Sequence, residues 1–257
     1  MSSFRVSAAT AQHIGDRTEQ QDRVAILQSK RLPGALLAIV ADGMGGRSGG
    51  RLASDQVIAT AEHLFNEASE HDGDLTELLL TLAAEAHTVI RLSAISSEME
   101  PHSTLCSLIL HRGGAIWAHA GDSRLYHFRG GETVARTADH TFVEQLRLEG
   151  RLHELEHAPN RYKNMLVSAL GINREPKVEV ATLSRLEGGD TFLLASDGLW
   201  AYFSDDELAA TASALPPRLA CEQLIAQARE RANGRGDNAT LAIVKIEPSP
   251  PRPAVLA

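Results

Sequence analysis

A chain of 257 residues is long enough for one large domain or two small ones, and no break in composition divides it, so one domain is expected. With 43% hydrophobic and 23% charged residues it has the make-up of an ordinary globular protein. A formal net charge of −8 argues against nucleic acid or an anionic membrane as partner, though not against a phosphorylated substrate met through cations. Two cysteines, Cys106 and Cys221, supply no disulfide framework and fit a reducing compartment. The first residues lack the basic start and apolar core of a secretion signal, and no apolar run reaches membrane-spanning length. A cytoplasmic monomer without membrane or nucleic-acid contacts is expected.

Taken in chain order, residues 4–10, 23–28 and 36–41 have strand patterns. Two helices follow. The first, over 47–68, should bury Val57, Ala61, Leu64 and Phe65; the second should bury Leu75, Leu78, Leu79, Leu82, Ala86, Val89 and Ile90. Strand patterns resume at 104–111, 115–120 and 124–129, with Gly113-Gly114 and Gly130-Gly131 placed for hairpin turns. A short helix at 141–149 should stop at Gly150, ahead of the breaker Pro159. Further strands are expected at 178–182, 191–196 and 239–246, helices at 205–214 and 218–232, and a disordered Pro-rich tail at 248–257. Two helices set between clusters of adjacent strands do not make the alternation of a parallel sheet. Antiparallel sheets covered by helices, a layered sandwich, fit better.

The apolar run Leu36-Leu37-Ala38-Ile39-Val40-Ala41 ends in Asp42, then a glycine-rich turn. A carboxylate at the end of a buried strand costs free energy unless a metal ion or a basic group pairs with it. Asp42 has companions: Asp197 after Phe192-Leu193-Leu194-Ala195-Ser196, Asp237 just before the strand from Ala239, Asp122 between two hairpin strands, and Asp22 ahead of the second strand. Asp-Gly and Asp-Asn are also ordinary turn dipeptides. Five aspartates at strand ends, however, can converge on one rim, and such a cluster predicts hard divalent ions with oxygen ligands, Mg²⁺ or Mn²⁺.

With Arg17-x-x-x-x-Asp22, Asp42-Gly43-Met44-Gly45-Gly46, Gly121-Asp122-Ser123-Arg124, Ser196-Asp197-Gly198 and Gly236-Asp237-Asn238 in one order, the chain resembles the protein phosphatase 2C family, and its glycine-rich form is similar to the bacterial branch. The resemblance implies an α+β fold, a four-layer α-β-β-α sandwich of two antiparallel sheets flanked by helices. The catalytic domain would span 1–247, with a flap at about 140–167. It implies metal-dependent hydrolysis of phosphoserine and phosphothreonine in proteins by a water activated at a binuclear centre, opposing a bacterial serine/threonine kinase. Asp42 would bridge two core ions, the Gly43 carbonyl would hold one, and Asp197 and Asp237 the other. Asp22 would act near the Gly43-bound ion, directly or through water, and Asp122 with Asp197 would hold a third, weaker ion. The glycines would let the backbone pass close to the ions. Arg17 would grip substrate phosphate with its fixed fork of donors. Met44 stands where some members carry a histidine, so a metal-bound water is the expected proton donor to the leaving group. Gln20 stands where the family usually has asparagine, and His102-Ser103-Thr104 replaces Gly-Thr-Thr.

Three other patterns are weaker. Cys106 and Arg112 have the Cys-x5-Arg spacing of cysteine-dependent phosphatases, but Leu108-Ile109-Leu110 between them is a strand run, not a phosphate-wrapping loop. His153-Glu154-Leu155-Glu156-His157 matches a zinc-peptidase pattern in a stretch too short for a cleft-floor helix, so an exposed segment is expected, with His153 or Arg161 as a possible phosphopeptide contact. The Gly43-x-Gly45-x-x-Ser48 loop lacks a dinucleotide fold's third glycine, and Asp42 would repel a pyrophosphate.

Overall fold

The computed structural model describes residues 5–46, 48–69, 74–95, 99–156, 159, 162 and 165–247. The expected tail at 248–257 lies outside them. One sheet runs β1 (Arg5–His13), β11 (Ala239–Glu247), β10 (Thr191–Ala195), β7 (Arg124–Arg129), β8 (Glu132–Arg136). The other runs β2 (Asp22–Gln28), β3 (Leu36–Met44), β5 (Leu105–His111), β6 (Gly114–Ala120), β9 (Glu179–Leu183), with the two-residue β4 (His102–Ser103) on the end of β3. Every pairing is antiparallel.

The layers follow from which side chains each strand must hide. In β3, Leu36, Ala38 and Val40 point into the space between the sheets, where they meet Phe192 and Leu194 of β10 and Ala242, Val244 and Ile246 of β11. Leu37, Ile39 and Ala41 point the other way, into a second core closed by α1 (Gly49–Glu67) and α2 (Leu75–Ile95). A strand buried on both faces must be apolar at every position, hence the unbroken run before Asp42. The first sheet has the same division: Leu193, Leu241 and Ile243 face α5 (Asp205–Ala214) and α6 (Pro217–Ala232). Helix, sheet, sheet, helix: the architecture is the expected four-layer α+β sandwich.

Two expectations need correction. Val89, expected in the core, is 38% exposed, because it lies one residue, a hundred degrees of turn, from the buried Ile90. By length and composition alone, α2 is apolar enough to cross a membrane, contrary to the reading that no run comes close. It is a packed helix here, with Leu79, Leu82, Ala83, Ala86 and Ile90 in the core. The segment after β8 holds α3 (Phe142–Leu148), capped by Thr141 whose side chain accepts from the Glu144 N–H, then Gly150 at φ +71° and a 3-10 turn at Leu152–Glu156.

Candidate metal centre

Strand register brings the aspartates together. Asp22 opens β2 directly opposite Asp42 near the end of β3. At the same rim, Leu105 of β5 pairs with Ala120 at the end of β6. The chain then crosses between the sheets through Gly121-Asp122-Ser123 to Arg124, which pairs with Ala195, the last residue of β10. Ala195 in turn faces Leu241 of β11, so the segments carrying Asp197 and Asp237 leave the same edge. Asp197 opens the single helical turn α4 (Asp197–Trp200). All five aspartates therefore stand at one end of the sandwich, although two sheets and five segments supply them.

Asp42, Asp122, Asp197 and Asp237 line an open cleft of about 820 Å³, together with Arg17 and Leu166. Asp22 does not line it. It is buried beneath, 1% exposed, with its carboxylate accepting from Ser196 Oγ at 2.7 Å. The backbone of Asp42 is fixed on both sides, its N–H donating to Thr104 Oγ1 and its carbonyl accepting from the Thr104 N–H, each at 2.9 Å. Asn238 ties the Asp237 segment to the Arg17 loop. Its amide donates to the Ile14 and Glu19 carbonyls at 2.8 and 3.0 Å, and its Oδ1 accepts from the Gln21 N–H at 2.7 Å. Gln20 Oε1 accepts from the Asp22 N–H at 3.1 Å, so the longer side chain at that position still reaches a local backbone donor.

The carboxylates perturb one another. Burial first, and then the charges of Asp22, Asp197, Asp122 and Asp237, hold the Asp42 carboxyl well above the usual range. Burial raises Asp22 to about 7, against the hydrogen bonds from Ser196 and Thr240. Asp122 also rises to about 7, by burial and then by the charge of Asp197. Asp197 is raised by burial and by Asp237. Among the described cleft-lining residues the single cation is Arg17, whose guanidinium donates to Asp237 Oδ2 at 2.5 Å, both side chains well exposed. The expected phosphate-gripping residue thus stands beside one of the expected metal ligands. Carboxylates that outnumber the one described arginine beside them make an oxygen ligand set suited to hard divalent cations.

The glycines after Asp42 have a packing role. A Cβ on Gly43 would lie 1.9 Å from the Gly50 carbonyl oxygen in the first turn of α1, and one on Gly45 would lie 2.2 Å from the Glu100 carbonyl oxygen. They let the helix and the 100–101 segment close on the strand end, a contact invisible in the one-dimensional pattern.

The weaker patterns resolve as follows. Cys106 is buried on β5 between the sheets, and burial pushes its thiol up, against the thiolate that such chemistry needs. His153 sits on the exposed 3-10 turn; its pattern partner His157, and Arg161, lie outside the described residues. A separate cluster of His119, His140 and Glu179 brings three ligand atoms within 4.8 Å of one another. His119 Nε2 is already within 2.8 Å of the Ala138 carbonyl oxygen. The Gly121 N–H donates to His140 Nδ1 at 3.2 Å, so the neutral ring carries its proton on Nε2 and has no lone pair there for an ion.

Sequence reasoning did not reach Thr104 and Ser196 as supports of the aspartates. Ser196 was legible as a neighbour of Asp197 but serves Asp22, from the other sheet. A family model described as Protein phosphatase 2C matches residues 10–230. The chain is 37% identical over 181 residues to serine/threonine protein phosphatase PstP of Mycobacterium tuberculosis, a match covering 68% of this chain and 34% of that protein. The chain thus spans about a third of that relative's length. Its backbone is similar to that of a solved S. agalactiae serine/threonine phosphatase, with TM-score 0.85 and 27% identity over 95% of this chain and 100% of that one. It is also similar to the catalytic domain of PstP solved in complex with two manganese ions, with TM-score 0.77 and 28% identity over 95% and 100% of the two chains. The model's span holds four of the five rim aspartates, and the fold brings the fifth, Asp237, to the same cleft: the chain belongs to the protein phosphatase 2C family.

Proposed function

We propose that this protein is a Mn²⁺- or Mg²⁺-dependent phosphatase that hydrolyses phosphoserine and phosphothreonine in proteins. The observation that carries the reading is the cleft in which Asp42, Asp122, Asp197 and Asp237 converge over buried Asp22 with Arg17 beside them. Asp42, the Gly43 carbonyl, Asp197 and Asp237 would hold two ions, Asp22 would act beneath them directly or through water, and Asp122 with Asp197 would hold a third. Bound there, such ions supply the Lewis-acid charge that makes water nucleophilic at neutral pH and offsets charge on phosphoryl oxygens. Arg17, exposed on its loop, is free to turn from Asp237 toward a substrate phosphate. Its planar fork suits that anion. Met44 lines the cleft, and no imidazole is among the described residues that line it. Leu166 brings the end of the 140–167 segment to the cleft wall, consistent with a flap against which a phosphopeptide lies. The catalytic domain would span 1–247, and the natural substrates would be phosphoproteins, including a serine/threonine kinase and its targets.

The test is turnover of p-nitrophenyl phosphate and a phosphothreonine peptide by EDTA-treated protein, with and without added Mn²⁺. Activity should appear only with the ion, and Asp197→Ala should lower kcat/KM by about 100-fold or more, the scale of lost metal and transition-state contacts. Folded protein without Mn²⁺-dependent turnover, or full activity in Asp197→Ala, would refute the proposal.

A further inference from the structure

Asp122 and Asp197 stand on segments from different strands and repel each other, yet line one cleft. The fold keeps them together through Trp200. This residue ends the one-turn helix that Asp197 begins, and its indole Nε1–H donates to the Asp122 backbone carbonyl at 3.0 Å. The four-residue turn thus presents one carboxylate at its start and grips the peptide of the other at its end.

The indole is itself held. The Arg124 guanidinium lies over the Trp200 ring, 3.3 Å from its centroid. Arg124 is pinned by two bonds to the Asp139 carboxylate, both at 2.7 Å, and donates to Tyr126 Oη at 3.1 Å. The next residue, His140, clasps the other side of the turn: its N–H donates to the Gly121 carbonyl at 2.9 Å, and its ring accepts from the Gly121 N–H. Gly121-Asp122 is therefore clamped between His140 and Trp200, and the Arg124–Asp139 pair joins the two jaws. Such supports orient ligand groups, and losing one costs metal affinity without removing a ligand.

We infer that Trp200 is a positioning residue: through its indole N–H, locked by Arg124, it sets the spacing of Asp122 and Asp197 and so the affinity of the cation these two carboxylates share. The inference rests on the proposal that Asp122 is a metal ligand, and the experiment separates the two. Mn²⁺ binding to EDTA-stripped full-length protein is followed by the paramagnetic resonance signal of free Mn²⁺, for the wild type, Asp122→Asn, Trp200→Phe and the double variant. Phenylalanine keeps a ring under Arg124 and deletes the N–H. Trp200→Phe should weaken by about 10- to 100-fold the class of site that Asp122→Asn removes, leave the other sites at wild-type affinity, and add nothing in the Asp122→Asn background. Wild-type binding in Trp200→Phe, equal weakening of all sites, or a further loss in the double variant would overturn the inference. Unchanged binding in Asp122→Asn would instead remove the reading of Asp122 on which it stands. Arg124→Lys keeps the indole and loosens its lock. It should weaken the same class of site, and it decides the matter if EDTA melts show Trp200→Phe to be unfolded; wild-type binding by a folded Arg124→Lys would then overturn the inference.

Discussion

Arg17 illustrates how one side chain can serve two electrostatic purposes. On the present geometry it neutralises Asp237. An exposed ion pair of this kind contributes about 1 kcal/mol at most, so a divalent ion displaces the arginine from Asp237 at little cost. A charge-assisted fork on a phosphate contributes more, about 1.5–3 kcal/mol. Arg17→Ala is therefore expected to raise KM for a phosphothreonine peptide by roughly 10-fold or more while kcat changes much less, and to alter Mn²⁺ affinity by no more than about 5-fold. Steady-state kinetics with a Mn²⁺ titration checks both; an unchanged KM would count against the phosphate role. The aspartates could be found in the sequence because each interrupts or borders an apolar strand, where a bare charge is conspicuous. Their supports could not. Thr104, Ser196 and Asn238 are small polar residues of a kind found in any turn, and only the strand register shows whose backbone or carboxylate they meet.

At the scale of elements, the strands buried on both faces were legible, since β3, β5 and β10 are mostly apolar runs that hide side chains on both sides. Those that escaped notice lack that constraint. Glu132–Arg136 is an edge strand whose side chains alternate exposed and half-buried, β4 has two residues, and α4 is a single turn that reads as the tail of a strand. Contacts between elements were equally hidden. The end of β3 and the start of α1 meet backbone to backbone at Gly43 and Gly50, with room for no side chain: a Cβ on Gly50 would lie 2.5 Å from the Gly43 carbonyl oxygen. Gly43→Ala must push the helix off the strand, and is expected to cost about 3 kcal/mol or more, the upper end for overpacking. Gly46→Ala is the control. A Cβ there meets nothing within 4 Å, and only the φ of +59° is unfavourable, so about 1 kcal/mol is expected. Denaturant unfolding of the two variants measures the contrast. Equal stabilities would show that the helix start yields freely, and that the glycines serve some end other than packing.

Over the whole molecule, stability depends on groups buried in opposite protonation states, histidines that refuse a proton and rim carboxyls that keep one. His140 is buried, stacked on His119 at 4.5 Å between centroids, with Glu179 and Lys177 on its outer side. Burial, then the neighbouring His119, lower its pKa to about 4, against a partial pull from Glu179. In the unfolded chain it titrates near 6.5. Between these values the unfolded state binds a proton that the folded state refuses, so the contribution of His140 is present above 6.5 and is lost as the pH falls toward 4. His119 and His87, lowered mainly by burial, act in the same direction. The raised Asp22 and Asp122 act oppositely in protein without bound ions, since their folded forms keep protons that the unfolded chain releases above 3.8. A single melting curve against pH therefore mixes the two, and a difference between proteins isolates one. His140→Asn retains an acceptor for the Gly121 N–H but cannot titrate. In EDTA, the unfolding free energy of the wild type should fall more steeply than that of His140→Asn between pH 6.5 and 4, by up to one proton, or about 1.4 kcal/mol per pH unit. Parallel curves from denaturant unfolding would mean that the folded protein protonates His140 as easily as the unfolded chain does, and that the stacked pair is more open to water than its burial indicates.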